Sequence, residues 1–152
     1  MSESNGGVSD WTVRGAIYAH IVATGRLPTV SEIAPALALT TDEVLAAYER
    51  LNDRHAIFLE PGGDTIRMAH PFSGVPTAFH VRANNQDYWA NCAWDALGIP
   101  AALHADAEIA ATYGEGGTAL QLTVHNGVIN DSTAVVRFQV PLRRWYDDLV
   151  HT

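Results

Sequence analysis

The amino-acid sequence predicts an α+β protein in two parts: a three-helix unit with a β-hairpin, followed by a small mixed α/β core. Three observations predict it. Apolar residues recur at helical spacing up to residue 53, the period shortens to that of strands after His55, and short apolar segments then alternate with glycine-rich turns. We expect a flexible tail at 1–9, a first domain at 10–69 and a second domain at 70–152.

The first domain is predicted to contain three helices and then two short strands. In order, these are a helix at 11–24 capped by Asp10, a short helix opened by Pro28 and Thr29, a helix capped by Thr40 or Thr41, and strands at 56–59 and 65–68. A glycine-containing turn at 61–64 joins the two strands. Three helices followed by a hairpin are typical of a winged helix, so we expect a winged-helix-like domain.

The charge of the third predicted helix argues against nucleic-acid binding. Its exposed side chains are mainly acidic: Asp42, Glu43, Glu49 and Asp53 against Arg50 and Arg54. The whole chain carries a net charge of -8 and contains no lysine. Because phosphate backbones repel such a surface, we expect a packing scaffold or partner surface and no nucleic-acid partner.

The second domain is predicted to begin with a loop at 69–78 and to alternate strands with one helix. The expected elements are strands at 79–82, 107–112, 118–124 and 133–140, and a helix at 87–97 that Gly98 and Pro100 would end. No apolar run approaches the length that spans a bilayer, and the first residues lack the pattern of a signal peptide. We therefore expect no membrane partner and a cytoplasmic location.

Cys92 and Asp95 are the candidate chemical centre. Cys92 is the only cysteine, which excludes an internal disulfide and a multi-thiolate zinc site within one chain. In the predicted helix these two side chains share a face, with Trp89 and Leu97 beside them. A thiol beside a carboxyl group that can carry a proton forms a nucleophile and acid pair.

A structural interpretation of the same two residues stays open. Asp95 could accept a hydrogen bond from a backbone amide or from Arg82, and Cys92 could be a small apolar residue in the core. The spacing of three residues between Cys92 and Asp95 is compatible with both interpretations.

The segment 66–103 resembles the alkylmercury (organomercurial) lyase family. The resemblance is carried by IRMAHPFSGVPTAF and YWANCAWDALGIPAAL, and VVRFQVPLRRWYDDL is similar to a later strand region of that family. It extends over roughly residues 10–150, and the family also has a winged-helix-like part before its core. The resemblance implies an organomercurial-lyase-like α/β core in the second domain.

The resemblance also implies a reaction, the protonolytic cleavage of a carbon–mercury bond. Cys92 matches a family cysteine whose thiolate binds mercury, and Asp95 matches the aspartate that protonates the carbon. No cofactor is required, because Hg(II) enters with the small-molecule substrate and leaves as the product ion. External thiols are the expected acceptors of that ion. Both a monomer and a homodimer stay open as oligomeric states.

One departure from the family concerns a second mercury-binding cysteine. That cysteine follows a stretch similar to residues 145–152, and the sequence ends at Thr152. One copy of this sequence therefore offers one thiolate. Either the chain is a piece of a longer protein, or it has diverged, or the second ligand comes from elsewhere; His151 is a candidate substitute.

The remaining predictions concern supporting residues and alternative functions. Beside the metal ligands Cys92 and Asp95, the expected supporting or substrate-lining residues are His70, Trp89, Asn91, Trp94 and Trp145. One alternative is a diverged, metal-independent lyase, isomerase or hydrolase of a small metabolite. The other is a non-catalytic protein that binds a soft metal.

Overall fold

The chain divides into two compact units, the first ending at His70 and the second beginning at Pro71. The computed structural model describes residues 8–113, 117–130, 133–138, 141–145 and 147. These residues include both helices and antiparallel strands, so the predicted α+β class is confirmed. The predicted flexible tail at 1–9 lies mostly outside the described residues, and the predicted domain bounds, 10–69 and 70–152, stay predictions.

Three helices form the first part of the N-terminal unit. They are α1 (Asp10–Thr24), α2 (Val30–Ala36) and α3 (Thr41–Asp53). The cap of α1 is Ser9, whose hydroxyl accepts the Thr12 amide at 3.1 Å, and the prediction of Asp10 as the cap is wrong. Asp10 lies within the first turn and holds the Arg50 guanidinium of α3 at 2.8 Å.

Local signals in the sequence fix the ends of these helices. Gly25 ends α1 in the left-handed conformation, with φ of 77°, where glycine carries no steric penalty. Thr40 caps α3 in a capping box, because the Glu43 carboxylate accepts the Thr40 amide at 2.8 Å. Apolar side chains spaced at helical intervals then form the core of the unit: Val13, Ile17, Ile21, Ile33, Val44, Tyr48 and Leu51.

A two-stranded antiparallel hairpin follows the three helices, formed by β1 (Phe58–Leu59) and β2 (Ile66–Ala69). This is the predicted order of elements, with strands shorter or shifted by one or two residues. The assignment of the unit to the winged-helix fold stays a prediction. None of the helices in the described part of the chain has both the length and the apolarity needed to cross a membrane.

The C-terminal unit contains an antiparallel sheet with one α-helix on it. Its strands are β3 (Phe72–Ser73), β4 (Phe79–Ala83), β5 (Gln86–Ala90), β6 (Ala107–Tyr113), β7 (Thr118–His125) and β8 (Val128–Ile129). Their order in the sheet is β3-β5-β4-β6-β7-β8. The helix α4 (Ala93–Leu103) packs against β4, β5 and β6, and a short 3₁₀ helix follows at Leu142–Arg144.

The predicted helix at 87–97 is wrong, because the strand β5 occupies its first part and α4 begins only at Ala93. Asn84 and Asn85 both have positive φ, 51° and 60°, which is the conformation of a tight turn between two antiparallel strands. That turn returns the chain along β4. Gly98 and Pro100, predicted as terminators, lie inside α4.

Three further predictions in this unit need correction. The predicted loop at 69–78 contains the end of β2 and the short strand β3. No strand was predicted at 128–129, where the short strand β8 lies. The predicted strand at 133–140 has no strand structure at 133–138, and residues 139–140 lie outside the described residues.

Candidate functional site

Cys92 is the N-cap residue of α4. The strand β5 ends at Ala90, and Asn91 alone separates it from Cys92, which has extended backbone angles, φ of -146° and ψ of 178°. Its carbonyl accepts the Ala96 amide at 3.0 Å, as an N-cap carbonyl does. Its side chain makes no capping hydrogen bond. The start of the helix therefore fixes the position of the thiol, and the thiol makes no hydrogen bond that caps the helix.

Asp95 lies in the first turn of α4, three residues after the N-cap. Its side chain is buried, with 7% of the residue exposed, and the Cys92 thiol donates to its Oδ2 at 3.5 Å. A negative charge in the first turn of a helix is favoured by the helix dipole and by the free amides there. The predicted contact between the Cys92 sulfur and the Asp95 carboxyl group is therefore present. It joins the N-cap residue to the first turn of the helix, and not two residues within a helix as predicted.

The surroundings of the thiol favour its protonated form. Burial is the largest cause that raises the pKa of Cys92 above its ordinary value, and the charge of Asp95 raises it further. The backbone amides of Asp95 and Trp94 act in the opposite direction. The resting pair is thus a thiol whose proton faces a carboxyl oxygen. A soft metal ion that binds the sulfur would displace that proton towards Asp95.

A row of three aromatic rings lies at the same end of α4. Trp94 is 59% exposed and its ring centroid is 6.2 Å from that of Phe138, which is 4.8 Å from the ring of Trp145. The structure thus connects two of the predicted supporting residues, Trp94 and Trp145, through a third. Phe138 was missed because it was expected in a strand; its place in the family-like segment VVRFQV was the available signal.

Trp89 and Asn91 occupy different positions relative to α4. Trp89 pairs with His80 across β5 and β4, with ring centroids 5.0 Å apart. Since side chains alternate along a strand, this pair lies on the sheet face opposite to Val81, which is buried, and to the cavity described below. Asn91 is half-buried in the connection before Cys92. Their supporting roles stay predictions.

His70 belongs to the N-terminal unit, where its carbonyl accepts the Tyr18 hydroxyl at 2.7 Å. Its exposed ring lies edge-on to Phe58, with centroids 5.4 Å apart. His151 lies outside the described residues, so its proposed metal-binding role stays a prediction, as does the supporting role of His70.

An apolar cavity of about 490 Å³ lies between α4 and the sheet. Ala93 and Ala96, which follow Cys92 and Asp95 directly in the chain, line it from the helix. Leu120 and Leu122 line it from β7, and Val136 lines it from the segment that leads to Phe138. Sequence reasoning could not find this cavity, because its walls come from positions far apart in the chain.

The described residues contain no cluster of side chains that could form a resident metal site. Among residues that the structure describes, no group of three or more His, Cys, Asp and Glu side chains could hold a metal ion. Cys92 and Asp95 form a set of two, and their roles as metal ligands stay predictions.

Comparison with known families identifies the C-terminal unit. Residues 72–152, slightly more than half of the chain, match the family model of the alkylmercury lyases, MerB. The chain belongs to the alkylmercury lyase family. The family resemblance of the sequence is thereby confirmed, and Cys92, Asp95 and the cavity all lie in the matched segment.

A similar solved structure supports the fold. The chain is similar to the structure entitled the mercury-bound form of MerB2, with a TM-score of 0.66 and 25% sequence identity. The similarity covers 82% of this chain but 59% of the MerB2 chain, so the sequence spans well under two thirds of that relative. No curated protein sequence matches the chain.

Proposed function

We propose that this member of the alkylmercury lyase family cleaves carbon–mercury bonds by protonolysis, with Cys92 as mercury ligand and Asp95 as proton donor. The observation that carries the proposal is the contact between the half-buried Cys92 thiol and the buried Asp95 carboxyl, 3.5 Å apart at the start of α4. The contact supplies a soft ligand and a proton carrier at one point, within the segment that defines the family.

The two side chains divide the reaction between them. When the sulfur of Cys92 bonds to mercury, its proton passes to the carboxylate of Asp95, to which the thiol donates at 3.5 Å. Asp95 then delivers that proton to the carbon, which keeps the electron pair of the broken carbon–mercury bond. The hydrocarbon leaves, and Hg(II) stays on the sulfur until external thiols remove it. The carboxyl group acts first as base and then as acid.

Residues 1–152 supply one sulfur ligand, so a second sulfur ligand would come from outside these residues. The sequence contains only Cys92, whereas a two-coordinate soft metal ion is held well by two thiolates. We infer that a small external thiol completes the coordination and later accepts the metal. Turnover should therefore depend on thiol concentration beyond the needs of keeping Cys92 reduced.

The test is a cleavage assay on the protein with excess small thiol and with methylmercury or phenylmercury. Release of methane or benzene is measured by gas chromatography. We expect a rate at least about tenfold above that of thiol alone, because oriented proton transfer adds at least that factor. Product formation no faster than with thiol alone would contradict the proposal.

A non-catalytic soft-metal site is the second candidate, and the single thiolate favours it. One sulfur with one carboxyl group is sufficient to bind Hg(II) but is fewer ligands than the family mechanism uses. Binding of one equivalent of Hg(II) without hydrocarbon release would support this candidate. A diverged reaction on a metal-free metabolite would likewise give no hydrocarbon release, although a thiol binds Hg(II) in either case.

A further inference from the structure

A side chain from outside β5 holds the last residue of that strand. Thr77 is half-buried in the connection before β4, and its hydroxyl donates to the Ala90 carbonyl at 2.5 Å. The same hydroxyl accepts the Phe79 amide at 3.1 Å, and the Phe79 carbonyl is a more distant acceptor at 3.3 Å. Phe79 and Ala90 are opposite each other in the register of β4 and β5. The hydroxyl therefore bridges the two strands at the last pair that they share.

This bridge lies two residues before the sulfur. Ala90 is fully buried, Asn91 follows it, and the carbonyl of Cys92 accepts the Ala96 amide at 3.0 Å. The carbonyls before and after Asn91 are thus both held, one by Thr77 and the other by the first turn of α4. A single residue between two held peptide groups has only two soft backbone dihedrals. The Thr77 hydroxyl therefore contributes to the direction in which the chain enters α4 at Cys92.

The contact between thiol and carboxyl depends on that direction. Asp95 has its place within the first turn of α4, and the Cys92 sulfur is 3.5 Å from its Oδ2. Proton transfer requires that the two groups stay within hydrogen-bond reach. A misplacement of about 1 Å can lower a rate by about 10²-fold. A small rotation of the chain at 90–91 would be enough to move the sulfur away from the carboxyl group.

We propose that Thr77 is a positioning residue, whose hydroxyl fixes the end of β5 and thereby keeps the Cys92 sulfur against the Asp95 carboxyl group. The hydroxyl acts through the Ala90 carbonyl. The kinetic consequence rests on the proposed lyase function, whereas the positioning itself is a property of the resting protein.

Three variants separate this role from a contribution to stability alone. Thr77→Val removes the hydroxyl and keeps the branched shape, and Thr77→Ser keeps the hydroxyl. The matched control is Thr112→Val, which makes the same change at an exposed threonine of β6 in the same unit. Circular dichroism and thermal melting set an assay temperature at which each variant is folded. Thr77→Ala removes the same hydroxyl and takes the place of Thr77→Val if the latter is unfolded there.

The first measurement is hydrocarbon release from phenylmercury with excess thiol. Thr77→Val is expected to lower kcat by about 10- to 100-fold and to change KM by less than about twofold, because the sulfur is misplaced while binding of the organic group is unchanged. Thr77→Ser and Thr112→Val are expected to keep kcat within about threefold of the unmodified protein. An unchanged kcat in Thr77→Val, or equal losses in Thr77→Val and Thr77→Ser, would overturn the inference.

The second measurement, the pH dependence of Cys92 alkylation, needs no lyase activity. Burial and then the charge of Asp95 raise the pKa of Cys92, so moving the sulfur away from that charge should lower the midpoint in Thr77→Val. In a protein that also carries Asp95→Asn, Thr77→Val should cause no further shift.

This pattern supports the positioning role even where no mercurial is cleaved and the lyase proposal fails. A midpoint in Thr77→Val equal to that of the unmodified protein, or the same shift with and without the Asp95 carboxylate, overturns the positioning role. Either result leaves the lyase proposal intact.

Discussion

Replacing Cys92 by serine is expected to lower kcat/KM for organomercurial cleavage by at least about 10³-fold. The hydroxyl oxygen that replaces the sulfur is a poor ligand for a soft metal ion. The sequence contains no other cysteine to take over the role. The measurement is hydrocarbon release with excess thiol, compared between the variant and the unmodified protein.

The fold should survive this substitution, which makes the result interpretable. Cys92 is the N-cap of α4 and its side chain makes no capping hydrogen bond, whereas serine is among the preferred N-cap residues. We therefore expect a melting temperature equal to or above that of the unmodified protein. A variant that keeps more than a tenth of the activity would show that the sulfur is not the mercury ligand.

Asp95→Asn is expected to lower kcat by about 10²- to 10⁴-fold, the usual contribution of a positioned general acid. The amide has nearly the same shape as the carboxyl group but cannot pass a proton from the sulfur to the carbon. Because Cys92 is retained, binding of Hg(II) should change little. The measurements are single-turnover release of hydrocarbon and titration with Hg(II).

The matched control for this variant is Asp87→Asn. Asp87 is an exposed carboxylate on β5 that pairs with His80 at 3.0 Å, on the same unit of the protein. Loss of this carboxylate should leave kcat unchanged within about twofold, since exposed ion pairs contribute little. Equal losses in both variants, or no loss in Asp95→Asn, would contradict the role assigned to Asp95.

The helices of the N-terminal unit could be predicted because their signals are local. Gly25 and Thr40 mark helix ends through their own conformational preferences, and the apolar spacing marks the buried face. The cap of α1 was displaced by one residue, because Ser9 and Asp10 are both good caps and only the fold distinguishes them.

The start of α4 could not be predicted because tertiary context decided it. The turn at Asn84 and Asn85 commits the following residues to a strand, although they also fit a helical pattern. Gly98 lies inside the helix and packs closely against Pro71: a Cβ there would lie 3.3 Å from the Cβ of Pro71, which is a tight contact. The sequence alone does not distinguish a glycine that packs closely inside a helix from a glycine that ends one.

The pairing of Cys92 with Asp95 was predicted correctly although the helix was misplaced. A spacing of three residues brings side chains together on a helical face, and it also brings an N-cap residue next to the third residue of its helix. Both geometries give the same contact. The cavity and Phe138 had no such local signal, because the strand β7 and the segment at 133–138 reach α4 only in the folded chain.

The coupling of sulfur and carboxyl is tested most directly by the pH dependence of Cys92 alkylation in the unmodified protein and in Asp95→Asn. The alkylation rate follows the thiolate fraction, and the single cysteine makes the signal unambiguous. We expect the midpoint of the unmodified protein to lie above that of a free thiol, because burial and the charge of Asp95 both raise the pKa of Cys92. In Asp95→Asn the midpoint should move down towards the ordinary value, since the charge is lost and the backbone amides remain. An identical midpoint in the two proteins would show that the two groups do not act as a pair.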